Sequence, residues 1–144
     1  MLAQSLLDEL HPAQRVPRWI SALQQATWPS RGTLVAEDDV GHVIGFADLR
    51  PTRDDDAPSE TGEIVAFYVL PTDWRRGVGS RLIAAAEQSL RAAGFTAATL
   101  WVLEANAPAI RFYVRSGWQP DGAVKDAVFA GSTVRERRYR RELR

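Results

Sequence analysis

Apolar positions change their spacing several times along the chain, and each change marks an element. Between Ser5 and Thr27, Leu6, Leu7, Leu10, Val16, Trp19, Ile20 and Leu23 recur at three and four, with Pro12 and Pro17 as breaks. This spacing predicts a short helix and then a longer one near residues 14–26. Trp28 to Gly32 reads as a breaker cluster. Thr33–Glu37 and His42–Leu49 read as strands around a turn at Asp38–Gly41, forming a hairpin. Pro51–Thr61, with Asp54, Asp55 and Asp56 in a row, is an acidic loop. A third strand runs from Glu63 to about Leu70 and is closed by Pro71. Helical spacing returns at Val78, Leu82, Ala86, Leu90 and Ala93, one stripe of a long helix capped by Gly94. Ala98–Leu103 is an unbroken apolar run, the pattern of a parallel strand buried on both faces. A short helix over Asn106–Ser116 ends at Gly117, and two strands near residues 124–130 and 133–141 follow. The order describes one α+β domain over residues 1–144 with a strand–helix–strand crossover at its centre.

Composition narrows the chemistry. The 144 residues carry 18 basic and 18 acidic side chains, a balance that argues against a nucleic-acid-wrapping protein. Cysteine is absent, which removes disulfides, thiolate nucleophiles and Cys-ligated zinc, and suits a reducing cytosol. His11 and His42 are the only histidines, so no metal site is expected. No apolar run approaches the ~18–20 residues of a membrane span, and Asp8 and Glu9 spoil a signal-peptide layout. The reading is a cytoplasmic protein without a membrane partner.

Two segments carry candidate chemistry. The first is the turn Pro71-Thr72-Asp73-Trp74-Arg75-Arg76-Gly77-Val78-Gly79-Ser80, between a strand and a long helix. Glycines leave backbone amides unhindered, the helix start is electropositive, and two arginines add charge, a combination suited to a pyrophosphate. The alternative is a turn whose glycines serve only a positive φ. A nucleotide-triphosphate loop would need Gly-Lys-Ser/Thr, and the only lysine is Lys125. A dinucleotide loop would need a third glycine where Leu82 stands. The second segment runs from Asn106 to Trp118. Asn106 suits an N-cap, Pro108 the first turn and Gly117 a left-handed C-terminal position. Spacing puts Ile110, Tyr113 and Val114 on one inward face, where a tyrosine is ordinarily a core residue.

Together these residues resemble a family. Val69-x-Pro71, Arg75-Arg76-Gly77-Val78-Gly79, a long amphipathic helix, Leu100-Trp101-Val102, then Asn106-x₅-Phe112-Tyr113-x₃-Gly117-Trp118 are similar to the GCN5-related N-acetyltransferase (GNAT) superfamily. Glu136-x-x-Tyr139 matches many bacterial members. The resemblance covers residues 33–143 and implies a mixed, mostly antiparallel sheet, with an acetyl-CoA-binding core over residues 33–103 and a C-terminal helix and strands over 106–144. It implies acetyl-CoA as cosubstrate, a small-molecule or peptide amine as acceptor, and direct attack in a ternary complex. Main-chain groups of Phe67, Tyr68 and Val69 would meet the pantetheine arm, and amides of Arg75, Arg76, Gly77, Val78, Gly79 and Ser80 the pyrophosphate. Asn106 would contact the pantetheine region. Tyr113 would be the general acid, the amide of Val69 or Leu70 an oxyanion donor, and Glu63, fourteen residues before Gly77, the candidate base, with Glu104 as a fallback.

Two features depart from the family pattern. Trp74 stands where the family usually has Arg or Gln. Only about 32 residues, read as the N-terminal helices over 1–31, precede the first hairpin strand, so the fold is expected to lack the usual first strand and first helix. Such a fold would leave a sheet edge that a homodimer could cover. Arg135, Arg137, Arg138, Arg140, Arg141 and Arg144 read as a solvated last strand and tail, with binding of an acidic substrate or of the adenosine 3′-phosphate as the alternative, and Asp54–Asp56 as solvated loop or as an attractor of cationic substrate. A non-catalytic acyl-CoA-binding sensor is the alternative reading, and an interaction subunit that keeps only the fold is a third.

Overall fold

The computed structural model describes residues 31–58, 60–74 and 77–143. The two N-terminal helices, the absent first strand and helix, and Arg75, Arg76 and Arg144 therefore lie outside the described residues. The elements are β1 (Gly32–Glu37), β2 (Val43–Pro51), β3 (Thr61–Val69), a 3₁₀ turn (Pro71–Asp73), α1 (Val78–Ala92), β4 (Ala97–Leu103), α2 (Ala107–Arg115), β5 (Gln119–Phe129) and β6 (Ser132–Glu142). The strands form one sheet in the order β1-β2-β3-β4-β6-β5. Every pairing is antiparallel except β3 with β4, the α+β mixture that the pattern predicts.

The hairpin turn is set by Asp38, whose Oδ1 accepts from the Val40 and His42 amides at 3.0 and 2.9 Å. Farther along, Asp48 faces Ala66 while the next residue, Leu49, faces Ile64, so Val65 is an extra residue bulged from β3. A bulge bends its strand and increases the local twist. The parallel pairing of β3 with β4 is correspondingly short: Thr61, Gly62 and Glu63 pair with Ala97, Ala98 and Thr99. Beyond that rung the two strands are no longer paired, and a gap opens in mid-sheet.

One face of the sheet carries both helices. Leu82, Ile83, Ala86 and Leu90 of α1 and Ala109, Phe112 and Tyr113 of α2 join Leu49, Ile64, Phe67, Val69, Leu100, Val102, Trp118 and Tyr139 in a single core. Gly62 lets α1 settle close, because a Cβ there would lie 2.8 Å from Leu90 and 3.2 Å from the Phe95 ring. Three expectations are corrected. Val114 is 52% exposed, and Phe112 takes the inward place assigned to it, since Ala109, Phe112 and Tyr113 are the residues that share the buried face at spacings of three and four. β5 starts at Gln119 because Gln119 and Pro120 already pair with Arg140 and Tyr139 ahead of an irregularity before Val124. Arg138 is not on a solvated strand: it is 7% exposed and holds the 52–60 loop, as described below.

Candidate active site

The gap between β3 and β4 exposes main chain. The Leu70 amide donates to the Ile44 carbonyl at 2.8 Å, so Leu70 faces β2 and is not available as an oxyanion donor. Hydrogen bonding alternates along an antiparallel strand. In the register Gly45–Val69, Phe46–Tyr68, Ala47–Phe67, it follows that Phe67 and Val69 turn their main-chain groups away from β2 and toward the gap. Tyr68 turns its main chain to β2 instead, and its ring lies on the second sheet face beside Phe46, at 6.0 Å between centroids. Of the three residues expected to meet a pantetheine arm, two therefore present backbone there. One of those groups is taken: Trp74 Nε1 donates to the Val69 carbonyl at 2.8 Å. Trp74 thus fastens the end of β3 to the 3₁₀ turn. Phe67 N–H and C=O and Val69 N–H remain directed at the gap.

On the helical face a cleft of about 320 Å³ is lined by Val69, Trp74, Gly77, Gly79, Ser80, Pro108, Arg111, Phe112 and Arg115. Gly77 caps α1 with φ +80°, a conformation that favours glycine, and its carbonyl accepts from Arg81 at 3.1 Å. Val78 packs partly into the core. At Gly79 a Cβ would come within 3.3 Å of the Phe112 ring, so a side chain there would intrude on the cleft wall. Among the described residues no carboxylate lines this cleft; α1 presents its N-terminus and α2 presents Arg111 and Arg115, one helical turn apart. These two arginines were not singled out in the sequence. The available signal was the i, i+4 spacing of two cations on the face opposite the apolar one.

Asn106 is the N-cap of α2, and its Oδ1 accepts from the Ala109 amide at 3.3 Å, leaving its NH₂ group uncommitted to the cap. Tyr113 is 5% exposed, its ring set against Phe112, Phe67 and Trp118 at 5.4, 6.2 and 6.4 Å. Its hydroxyl makes no hydrogen bond to a described residue. Burial pushes the phenol well above its ordinary range, so it keeps its proton through neutral pH.

Glu63 lies on the other face, 2% exposed, and accepts from both the Arg53 amide and Arg53 Nη2 at 3.2 Å. Glu104 pairs with Arg137 at 3.3 Å near the surface. Asp54 and Asp56 are likewise committed. Arg138 donates to Asp54 at 3.2 Å, to both oxygens of Asp56 at 2.8 Å and to Asp121 at 2.6 Å, and Trp101 Nε1 also donates to Asp54 at 3.0 Å. These carboxylates tie the loop to β6 and are not free to draw in a cationic ligand. Among the described residues no cluster of metal-ligating side chains occurs, and no helix is long and apolar enough to cross a membrane.

A profile of the Acetyltransferase (GNAT) family matches residues 2–118. The chain belongs to this family. One relative is the uncharacterized N-acetyltransferase YuaI of Bacillus subtilis, 36% identical over 113 residues, which are 76% of this chain and 63% of YuaI. The chain thus aligns with less than two thirds of that relative's length. The fold is also that of solved GNAT-type structures. Nourseothricin acetyltransferase superposes with a TM-score of 0.69 at 25% identity, over 81% of this chain and 67% of that one. The yncA protein of Salmonella typhimurium, solved with its cofactor acetyl-CoA, gives a TM-score of 0.70 at 24% identity over 88% and 71% of the two chains. Within this family fold, Gly77, Gly79 and Ser80 share one cleft with Pro108, Arg111, Phe112 and Arg115, although 27 residues of chain lie between Ser80 and Pro108; Asn106 and Tyr113 do not line that cleft.

Proposed function

We propose that this chain is an N-acetyltransferase that moves an acetyl group from acetyl-CoA to a primary amine. The observation that carries the reading is the juxtaposition of a cleft lined by Gly77, Gly79, Ser80, Arg111 and Arg115, with no carboxylate among its described residues, and a gap in the sheet toward which Phe67 and the Val69 N–H direct main-chain groups. The donor set fits a pyrophosphate: amides at a helix start and two guanidinium groups, with no competing carboxylate among the described residues. A narrow gap edged by main-chain donors and one acceptor suits an amide-containing arm.

Acetyl-CoA supplies the acetyl thioester; the chain's own groups do the rest. The Val69 N–H stabilises the oxyanion that develops when the amine attacks the thioester carbonyl, and the Phe67 main chain is left to the arm. Tyr113, held protonated by its apolar surroundings, gives its proton to the departing sulfur. Asn106, at the mouth of α2, steadies the arm through its free NH₂. Glu63 acts as base through water rather than directly, because Arg53 already occupies its carboxylate. The reading is tested by following thiol release from acetyl-CoA with a panel of primary amines: amine-dependent release supports it, and tight acetyl-CoA binding without release by any amine favours the sensor.

Arg111 and Arg115 give a sharper expectation. Changing both to alanine should weaken acetyl-CoA binding on the order of 10-fold at low salt, with the deficit shrinking as salt rises, because both are exposed and screened. Calorimetric titrations at two ionic strengths check this; an unchanged dissociation constant would remove the pair from the site.

A further inference from the structure

On the sheet face opposite α1 and α2, a row of polar residues crosses the last rung before the gap. Arg50 pairs in register with Glu63, Glu63 with Thr99, and Thr99 with Arg140. Their neighbours Leu49, Ile64, Leu100 and Tyr139 belong to the core on the helical side, which fixes this row on the other face. Most of its charges are matched: Glu63 is held by Arg53, and Arg140 bonds Glu142 at 2.9 Å. Asp48 accepts from Thr33 at 3.1 Å. Arg50 is different. Its Nε is enclosed without a partner, and its guanidinium makes no hydrogen bond or ion pair to a described residue. The Thr99 hydroxyl, on the other side of Glu63, is also enclosed without a partner.

Buried polar groups are nearly always satisfied, so a half-buried arginine whose enclosed Nε has no partner among the described residues is informative. Its surroundings are electropositive. Arg31 and Arg53 stand near Arg50 with Asp48 and Glu63, three guanidinium groups against two carboxylates, which leaves one positive charge over. Burial and the nearby Arg53 both disfavour charge on Arg50, and Glu63 and Asp48 only partly offset them. An incoming anion would relieve that cost.

We propose that Arg50 is the docking point for a carboxylate of the acceptor, so that the substrates are small molecules carrying both a primary amine and a carboxylate. The inference rests on the acetyltransferase reading above and adds the acceptor's chemical class. The anion belongs to the acceptor and not to acetyl-CoA, because Arg50 lies on the face away from the cleft of Gly79 and Arg111. Phe67 lies four positions beyond Glu63, which is on the Arg50 rung, or about 13 Å along a strand. The arginine arm can shorten that span, so an amine several bonds from the carboxylate reaches the gap more readily than an α-amine.

The test compares each acceptor with its own carboxamide. Thiol release is measured with the twenty amino acids, a series of straight-chain ω-amino acids, a set of dipeptides, the amides of all of these, and two polyamines. At least one carboxylate should exceed its amide by about 10- to 100-fold in kcat/KM, mainly through KM. Arg50→Gln should collapse that ratio to near one, Arg50→Lys should keep part of it, and neither should alter the acetyl-CoA dissociation constant. The wild-type ratio alone keeps the test valid should Arg50→Gln fold poorly. Amides or polyamines used as well as carboxylates, a ratio that survives Arg50→Gln, or no transfer to any of these compounds while acetyl-CoA binds would each overturn the inference. Failure to bind acetyl-CoA would instead bring down the reading beneath it.

Discussion

Replacing Tyr113 with phenylalanine is expected to lower turnover by about 10²–10⁴-fold and to leave acetyl-CoA affinity unchanged. The substitution removes one oxygen from a side chain whose ring packing against Phe67, Phe112 and Trp118 is retained. Since that hydroxyl bonds no described residue, its loss leaves no buried partner unsatisfied, and stability should hardly change. What is lost is the proton donor. Because burial raises the phenol's pKa above its ordinary 10.0, the acid form persists below that pH. Wild-type turnover should therefore show no alkaline fall near pH 10 that the phenylalanine variant lacks. Steady-state kinetics beside calorimetry decide the matter: turnover equal to wild type would remove Tyr113 from the mechanism.

Arg138→Ala should produce the largest loss of stability among the substitutions considered, about 3 kcal/mol. Asp54 and Asp121, each 18% exposed, would lose the guanidinium that compensates them, and Trp101 would share an unneutralised carboxylate. The figure sits at the low end for breaking a buried pair because both carboxylates keep some exposure. Asp56 is mostly exposed and adds a pH signature instead. Its hydrogen bonds from Arg138 lower its pKa below 3.8, so its contribution is present above that pH and fades as the pH falls through the lowered value. Urea unfolding at neutral pH should show the full gap between wild type and variant, and the gap should narrow in acid. A variant as stable as wild type at pH 7 would mean that the loop is held by other contacts.

Much of this architecture was legible in the sequence, for physical reasons that also mark where legibility ended. The hairpin, α1 and β4 follow from period and punctuation: Gly41, Gly94 and Gly117 all adopt positive φ at the predicted ends. The glycine turn and α2 were readable as candidate sites because helix starts and caps have local signatures. The bulge at Val65 had no such signature, since it is set by which residues face one another across β2 and β3. Without the register, Tyr68 could not be told from Phe67 and Val69, nor could Leu70 be seen to spend its amide on Ile44. Arg138 looked like one cation in an arginine-rich strand. Its burial depends on Asp54 and Asp56, more than eighty residues away. Arg50 carried no sequence signal at all; its interest lies in the enclosed Nε that meets no partner among the described residues. Trp74 was readable as a departure from the family, but its bond to Val69 was not.

The most direct test of the central claim is a calorimetric titration of acetyl-CoA into the wild-type protein and into Gly79→Glu. Gly79 is the second residue of α1 and lines the cleft, with the Phe112 ring 3.3 Å from where its Cβ would lie. Glutamate there would put a side chain and a negative charge into the turn that offers its amides to the pyrophosphate. Gly79→Ala, measured alongside, separates the added methyl from the charge. The account predicts one-to-one binding to the wild type, modest weakening in Gly79→Ala and no measurable binding in Gly79→Glu. No heat of binding with the wild type, or equal affinity in Gly79→Glu, would contradict it.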